Sequence, residues 1–189
     1  MTSQSLSSQR YHLSLIAFHW LTLFLLVAIY ALMEFKGIYD KGSAPRELMK
    51  SWHFILGLTL LLVTVARLVA RTTFPAPAIT PTPPLWQLRL AKVVHLALYL
   101  FLLVMPLLGW STLSAAGKPI PFWGLHLPAL LMPDEALARN LKEIHEILGR
   151  LGYGLIGLHA VAAIYHHHFM RDDTLLRIVP ERCRQRLQK

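Results

Sequence analysis

Four stretches of this chain, residues 11–33, 51–66, 93–116 and 151–170, contain no Asp, Glu, Lys or Arg. About 20 predominantly apolar residues in a helix cross the hydrocarbon core of a bilayer, so each stretch is read as a membrane span. The second reaches that length only by taking in Arg67. In lipid every backbone N–H and C=O must find its partner inside the protein, which leaves helices or a closed barrel as spanning structures. Runs this long and this apolar fit helices. The chain is therefore expected to be all-α, an integral membrane four-helix bundle forming one domain over residues 1–189, with helices near 11–34, 51–71, 90–116 and 143–170. Only 15% of its residues are charged, against about 25% in a soluble domain. The first run is too long for a signal-peptide core and no small-residue cleavage site precedes Glu34, so it is expected to remain as the first helix.

Prolines punctuate what lies between the spans. Phe74-Pro75-Ala76-Pro77 and Pro81-Thr82-Pro83-Pro84 cannot continue a helix, and residues 85–92 read as a short interfacial helix before the third span. Pro106 should kink that span. Pro119, Pro121, Pro128 and Pro133 predict an ordered cap in the 117–141 loop, and no internal repeat is visible. With the N-terminus inside, the inner segments hold eleven Lys and Arg and the outer loops seven, Arg150 lying within the fourth span. That bias places both termini inside. The net charge of +9 needs no nucleic acid, because the basic tail after Met170 suits anionic lipid headgroups. Cys183 is the single cysteine, which excludes internal disulfides, CxxC haem attachment and iron–sulfur clusters within one chain.

Histidines carry the chemistry. His145 and His159 are fourteen residues apart, which advances about 21 Å along a helix and returns to within about 40° of the same azimuth. His19 in the first span matches the depth of His159, and His53 in the second matches His145. Four imidazoles in two layers can hold two bis-histidine haems, one near each membrane face. An ionisable residue inside a span is a functional candidate by default, although a single one often only bonds a neighbouring helix. His95 competes for the inner layer but lies shallower, and it reads as a residue beside the ligands. With His166 and the 74–87 loop it outlines a shallow site near the inner face, since a neutral imidazole can hydrogen-bond or protonate a substrate oxygen. His167 and His168 read as interfacial, as does His12, and His126 as a loop residue.

Gly57 and Gly149 follow His53 and His145 by four residues, and Gly152, Gly154 and Gly157 continue the fourth span. These small residues leave room for a macrocycle, or serve ordinary helix packing. Arg67 follows His53 by fourteen residues; it either pairs with propionates of an inner haem or snorkels to headgroups. Lys36, Lys41, Arg46, Lys50, Lys118, Arg139 and Lys142 make the outer loops basic. Lys50 and Lys142 stand one turn above His53 and His145, where they could steer a small anion, or belong to a solvated surface of mixed charge.

Ala17-Phe18-His19-Trp20, Met33-Glu34-Phe35-Lys36-Gly37, the run Leu151-Gly152-Tyr153-Gly154-Leu155-Ile156-Gly157-Leu158-His159-Ala160 and Asp173-Thr174-Leu175-Leu176-Arg177 resemble the bacterial cytochrome b561 family, most of all its superoxide-oxidising branch. The likeness runs from about residue 11 to 180. It implies a multi-pass protein of the bacterial inner membrane with two haems b. Carried over residue by residue, it puts the axial ligands on His19, His53, His145 and His159, the four that depth selects. It further implies oxidation of superoxide with ubiquinone as electron acceptor, and the shallow site of His95, His166 and the 74–87 loop is then the expected quinone site. Arg150 departs from the smaller polar residue expected there. Two other readings remain open: an electron-transfer cytochrome subunit docked to a dehydrogenase or hydrogenase, and a haem-free transport or scaffold protein. The sequence leaves self-association into a homo-oligomer open.

Overall fold

The computed structural model describes residues 10–179; Cys183 and the tail bases Arg182, Arg184, Arg186 and Lys189 lie outside the described residues. Four helices long and apolar enough to cross a membrane form the bundle: α1 (Leu13–Phe35), α2 (Ala44–Thr73), α3 (Leu85–Ala115) and α4 (Glu135–Tyr165). Two short strands, β1 (Ile120–Phe122) and β2 (Leu125–Leu127), pair antiparallel between α3 and α4. One end of the bundle, the terminal end, carries both ends of the described chain. The other, the loop end, carries the α1–α2 connection and the β hairpin.

Three helices begin earlier than the charge-free runs suggest, each for a local reason. Ser43 is extended, Pro45 sits in the first turn and Glu47 faces the positive end of the helix, so α2 starts seven residues before the apolar run. The carboxylate of Asp134 accepts the Leu137 N–H at 2.9 Å, which caps α4 at Glu135. Residues 85–92, expected as a separate interfacial helix, are instead the first turns of α3, because no breaker follows Pro84 until Pro106. Pro106 itself is buried inside α3, which continues on both sides of it. The proline-rich cap is real: Trp110 donates to the Pro128 carbonyl at 3.0 Å, and Trp123, at φ 46°, donates to Thr59 Oγ1 at 3.0 Å.

Lipid tails are as apolar as leucine, so the bundle is held by close packing and internal hydrogen bonds rather than by hydrophobic transfer. Leu25, Leu60 and Leu102 meet at mid-depth with Ile29, Leu56 and Phe101 around them. Leu58, Leu113 and Ile120 form a second cluster under the hairpin. Buried hydroxyls satisfy themselves: Thr22 and Thr64 each donate to the carbonyl four residues back, at 2.7 and 2.8 Å. Neighbours in sequence pack as neighbours in space, α1 on α2, α2 on α3 and α3 on α4. The bundle does not close with backbone contact, because no Cα of α1 lies within 8 Å of a Cα of α4.

Candidate functional site

At the loop end a cavity of about 890 Å³ penetrates between the helices. His53 from α2 and His145 from α4 both line it, with ring centres 6.1 Å apart and ring planes at 77°. His53 Nδ1 donates to the Ile29 carbonyl at 3.3 Å, which turns its Nε2 lone pair away from that bond. His145 Nδ1 lies near the Met105 carbonyl but outside bonding geometry, buried and without a hydrogen-bond partner. Gly57, on the cavity wall one turn after His53, has nothing within 4 Å of where a Cβ would stand. Gly109 packs against the His145 ring, where a Cβ would come to 3.4 Å of Cε1.

The second layer lies toward the terminal end. His19 of α1 and His159 of α4 have ring centres 6.2 Å apart at 62°. His95 of α3 approaches the same His159 ring at 5.3 Å, so it stands at the layer itself and not several residues shallower as its position in the sequence suggests. Its Nδ1 donates to the Ala91 carbonyl at 2.6 Å. The Arg67 guanidinium lies 3.2 Å from His19 Nδ1 and over the Tyr99 ring, 5.6 Å from its centre. The guanidinium therefore faces the imidazoles rather than snorkelling to headgroups.

A metal held between two imidazole nitrogens at about 2.0–2.1 Å each puts the ring centres about 6 Å apart. Both layers meet that spacing, and His95–His159 falls short of it. The cavity and the open space at Gly57 add room. At the loop end the residues fit a haem between His53 and His145; at the terminal end the match is the His19–His159 ring spacing, and those two residues would hold a second.

Basic side chains ring the cavity mouth: Lys36, Lys41, Arg46, Lys118, Arg139 and Arg150 line it together with Lys50 and Lys142. The two lysines singled out in the sequence are each paired. Lys50 meets Glu47 at 2.5 Å and Lys142 meets Glu146 at 3.5 Å. Arg150, set in the fourth span, turns out to line this cavity.

Sequence reasoning missed two groups. Across the α1–α4 gap, Tyr153 donates to Glu34 Oε1 at 2.7 Å, its ring lies 4.3 Å from that of Tyr30, and Tyr30 donates to the Gly149 carbonyl at 2.7 Å. The available signal was Glu34, a carboxylate closing an otherwise uncharged run. At the terminal end, Asp172, Asp173 and Arg177 are buried. His166 Nδ1 donates to Asp172 at 2.5 Å, Asp173 accepts from the Thr80 N–H at 3.0 Å, and Arg177 donates to the Pro77 carbonyl. His166 is thus engaged in this clasp and not joined to His95. Burial raises the Asp172 carboxyl, but bonds from His166 and Thr174 outweigh it and hold the group below the usual range. His12 caps α1 through Ser14 and stacks on Phe74, and His126 sits in β2.

Four membrane helices presenting matched imidazole pairs at two depths define a membrane cytochrome architecture. Residues 10–181 match the family described as prokaryotic cytochrome b561. The chain belongs to that family of membrane haem proteins that transfer electrons, which leaves the haem-free scaffold reading without support. It is 36% identical over 173 residues to "Cytochrome b561 homolog 1" of Escherichia coli (strain K12), covering 92% of this chain and 98% of the relative. It is 33% identical over 174 residues to "Probable superoxide oxidase CybB" of Yersinia pestis, with the same two coverages. "Cytochrome b561 homolog 2" of Escherichia coli is 33% identical over 180 residues, 90% of this chain and 92% of the relative.

Proposed function

We propose that this protein is a superoxide:ubiquinone oxidoreductase of the bacterial inner membrane, with the loop end outside and both termini in the cytoplasm. Two haems b, one held by His53 and His145 and one by His19 and His159, would supply one-electron relay between the membrane faces. The observation that carries the reading is the loop-end cavity, which joins a pair of imidazoles to a mouth ringed with cations. Positive charge around a low-dielectric cleft raises the encounter rate of a small anion by about 10–10³-fold. Lys36 and Arg150 form no salt bridge among the described residues, so they add positive charge to the cavity wall. A haem held between two imidazoles would suit electron transfer. Arg67, lying against His19, can balance carboxylates brought into the second layer. The printed name of the Yersinia relative supports the same donor.

The test is direct. Purified protein supplied with superoxide and a short-chain ubiquinone should show reduction of its b-type absorbance and loss of the quinone, both slowed by salt. Haem reduction without quinone loss would overturn the acceptor and favour a cytochrome subunit serving another enzyme. No reduction by superoxide would overturn the donor.

A further inference from the structure

The two imidazole layers differ in what stands against Nδ1, the nitrogen that a metal-bound imidazole leaves facing the protein. At the loop end His53 Nδ1 donates to the Ile29 carbonyl at 3.3 Å, and His145 Nδ1 lies near the Met105 carbonyl. At the terminal end the Arg67 guanidinium lies 3.2 Å from His19 Nδ1. His159 has the His95 ring beside it at 5.3 Å and no hydrogen bond to a carbonyl among the described residues. Arg67 is braced in that position. Its guanidinium lies 5.6 Å from the centre of the Tyr99 ring. That of Arg71, one turn further along α2, lies 5.8 Å from the same centre and donates to the Tyr99 hydroxyl at 3.4 Å. Neither arginine forms a salt bridge among the described residues. A guanidinium does not deprotonate in a protein, so the charge against His19 is permanent.

A carbonyl accepting from Nδ1–H makes the imidazole a more basic ligand and favours the higher oxidation state of an iron bound to it. A cation in the same place favours the lower one. With iron on Nε2 the proton of a neutral imidazole sits on Nδ1, so the Arg67 contact gives His19 charge without a hydrogen bond to accept. We propose that Arg67 sets the order of the two layers, making a haem held by His19 and His159 easier to reduce than one held by His53 and His145. The inference rests on the two haems proposed above and gives the relay between the faces its direction. Each superoxide anion gives up one electron and leaves as dioxygen. The electron turns ferric iron to ferrous at the loop end and then passes to ferric iron at the terminal end, the first returning to ferric. The cations at the cavity mouth do not reverse this order. Arg139 and Lys142 there have side chains 74% and 68% exposed, where salt and water screen them, whereas Arg67 lies against a ligand between the helices. Where haem carboxylates pair with Arg67, removing it leaves them uncompensated, which shifts the equilibrium the same way.

The experiment is an equilibrium redox titration of the full-length haem-loaded protein in lipid nanodiscs, followed in the b-type absorbance without superoxide or quinone. Wild type should titrate as two one-electron components. Arg67→Gln keeps the polar reach and loses the charge. At fixed potential the reduced-to-oxidised ratio of the higher component should fall at least about tenfold, a shift of about 59 mV, while the lower component stays. Arg67→Lys should restore most of the shift. The order is read independently of Arg67 by comparing His53→Ala, which keeps the terminal-end pair, with His19→Ala, which keeps the loop-end pair; the first should have the higher potential. The reverse order overturns the inference. So does a shift in Arg67→Gln that is absent, shared equally by both components or confined to the lower one. Protein that takes up no haem removes the reading beneath the inference. Two haems in the expected order in a protein that superoxide cannot reduce leave the inference standing and remove the donor.

Discussion

The two ends of the bundle hold equivalent pairs of imidazoles in unlike surroundings. At the loop end, His53 and His145 look into a large cavity with a cationic mouth. At the terminal end, His19 and His159 are crowded by His95 and Arg67, and the chain beyond α4 folds back beneath them through Asp172, Asp173 and Arg177. Ring spacing is nearly the same, 6.1 and 6.2 Å. The ligand sets therefore do not distinguish the ends; access does. One end is built to meet something from water, the other to be closed.

The sharpest way to break this comparison is to remove one pair at a time. His53→Ala or His145→Ala should halve the haem per protein and leave the remainder at the terminal end; His19→Ala or His159→Ala should do the converse. Haem content by pyridine haemochrome absorbance reads this. If His95→Ala loses a haem while His159→Ala keeps both, the terminal-end pairing is wrong.

A smaller effect should separate the ends by charge. Lys50→Glu with Lys142→Glu turns the field at the mouth, and each new carboxylate also repels Glu47 or Glu146. Reduction by superoxide should slow about tenfold at low salt with both haems retained. The difference from wild type should shrink as ionic strength shortens the Debye length below about 10 Å. A rate indifferent to both salt and charge reversal would remove the mouth from the mechanism.

The boundary between the ends is tested by Gly152, which is seven residues from each α4 histidine. A Cβ there would fall inside van der Waals contact of Tyr30 Oη and the Phe101 ring. Gly152→Ala should cost about 1–3 kcal/mol through overpacking, visible as a lower unfolding midpoint in detergent. Adding Tyr30→Phe should recover part of that loss by removing the clashing oxygen. No recovery would place the strain on Phe101 alone.

The smallest expected effect is acid loosening of the terminal end. The Asp172 carboxyl titrates lower folded than unfolded, so its contribution is present above the unfolded pKa of about 3.9 and is lost as pH falls through the lower folded value. Trp20, whose indole donates to the Ile178 carbonyl at 3.0 Å, reports the change by fluorescence. Asp172→Asn should make that signal insensitive to pH below about 4.

The four spans, the paired histidines and their layers were legible because membrane helices obey two simple constraints, hydrophobic length and azimuth. Depth counted along one helix placed His145 and His159 correctly. It misjudged His95, because counting from the end of a charge-free run ignores the extra turns that begin α3 at Leu85. The early starts of α2 and α4 were hidden for the same reason: caps and prolines set a helix end, not the last charge. The Tyr153–Glu34 contact was not legible, since it joins positions 119 residues apart through side chains that both point toward their own N-termini and so reach toward each other in antiparallel helices. The pairing of His166 with Asp172 was hidden by a π-helical turn, His166–Met170, and by Arg171 at φ 53°, a bend no periodicity predicts.

The clasp at the terminal end also has a schedule. Arg10 donates to the Val179 carbonyl at 2.7 Å and Trp20 to Ile178, so chain made first is tied to chain made last. At about 5–20 residues per second of synthesis, the intervening 169 residues keep Arg10 waiting for about 10–30 s. Throughout that interval the partners from residue 172 onward are missing, and until α4 follows α1 must hold its place by packing on α2. Fastening is the final event of assembly, and a chain truncated before Asp172 would be inserted but never locked.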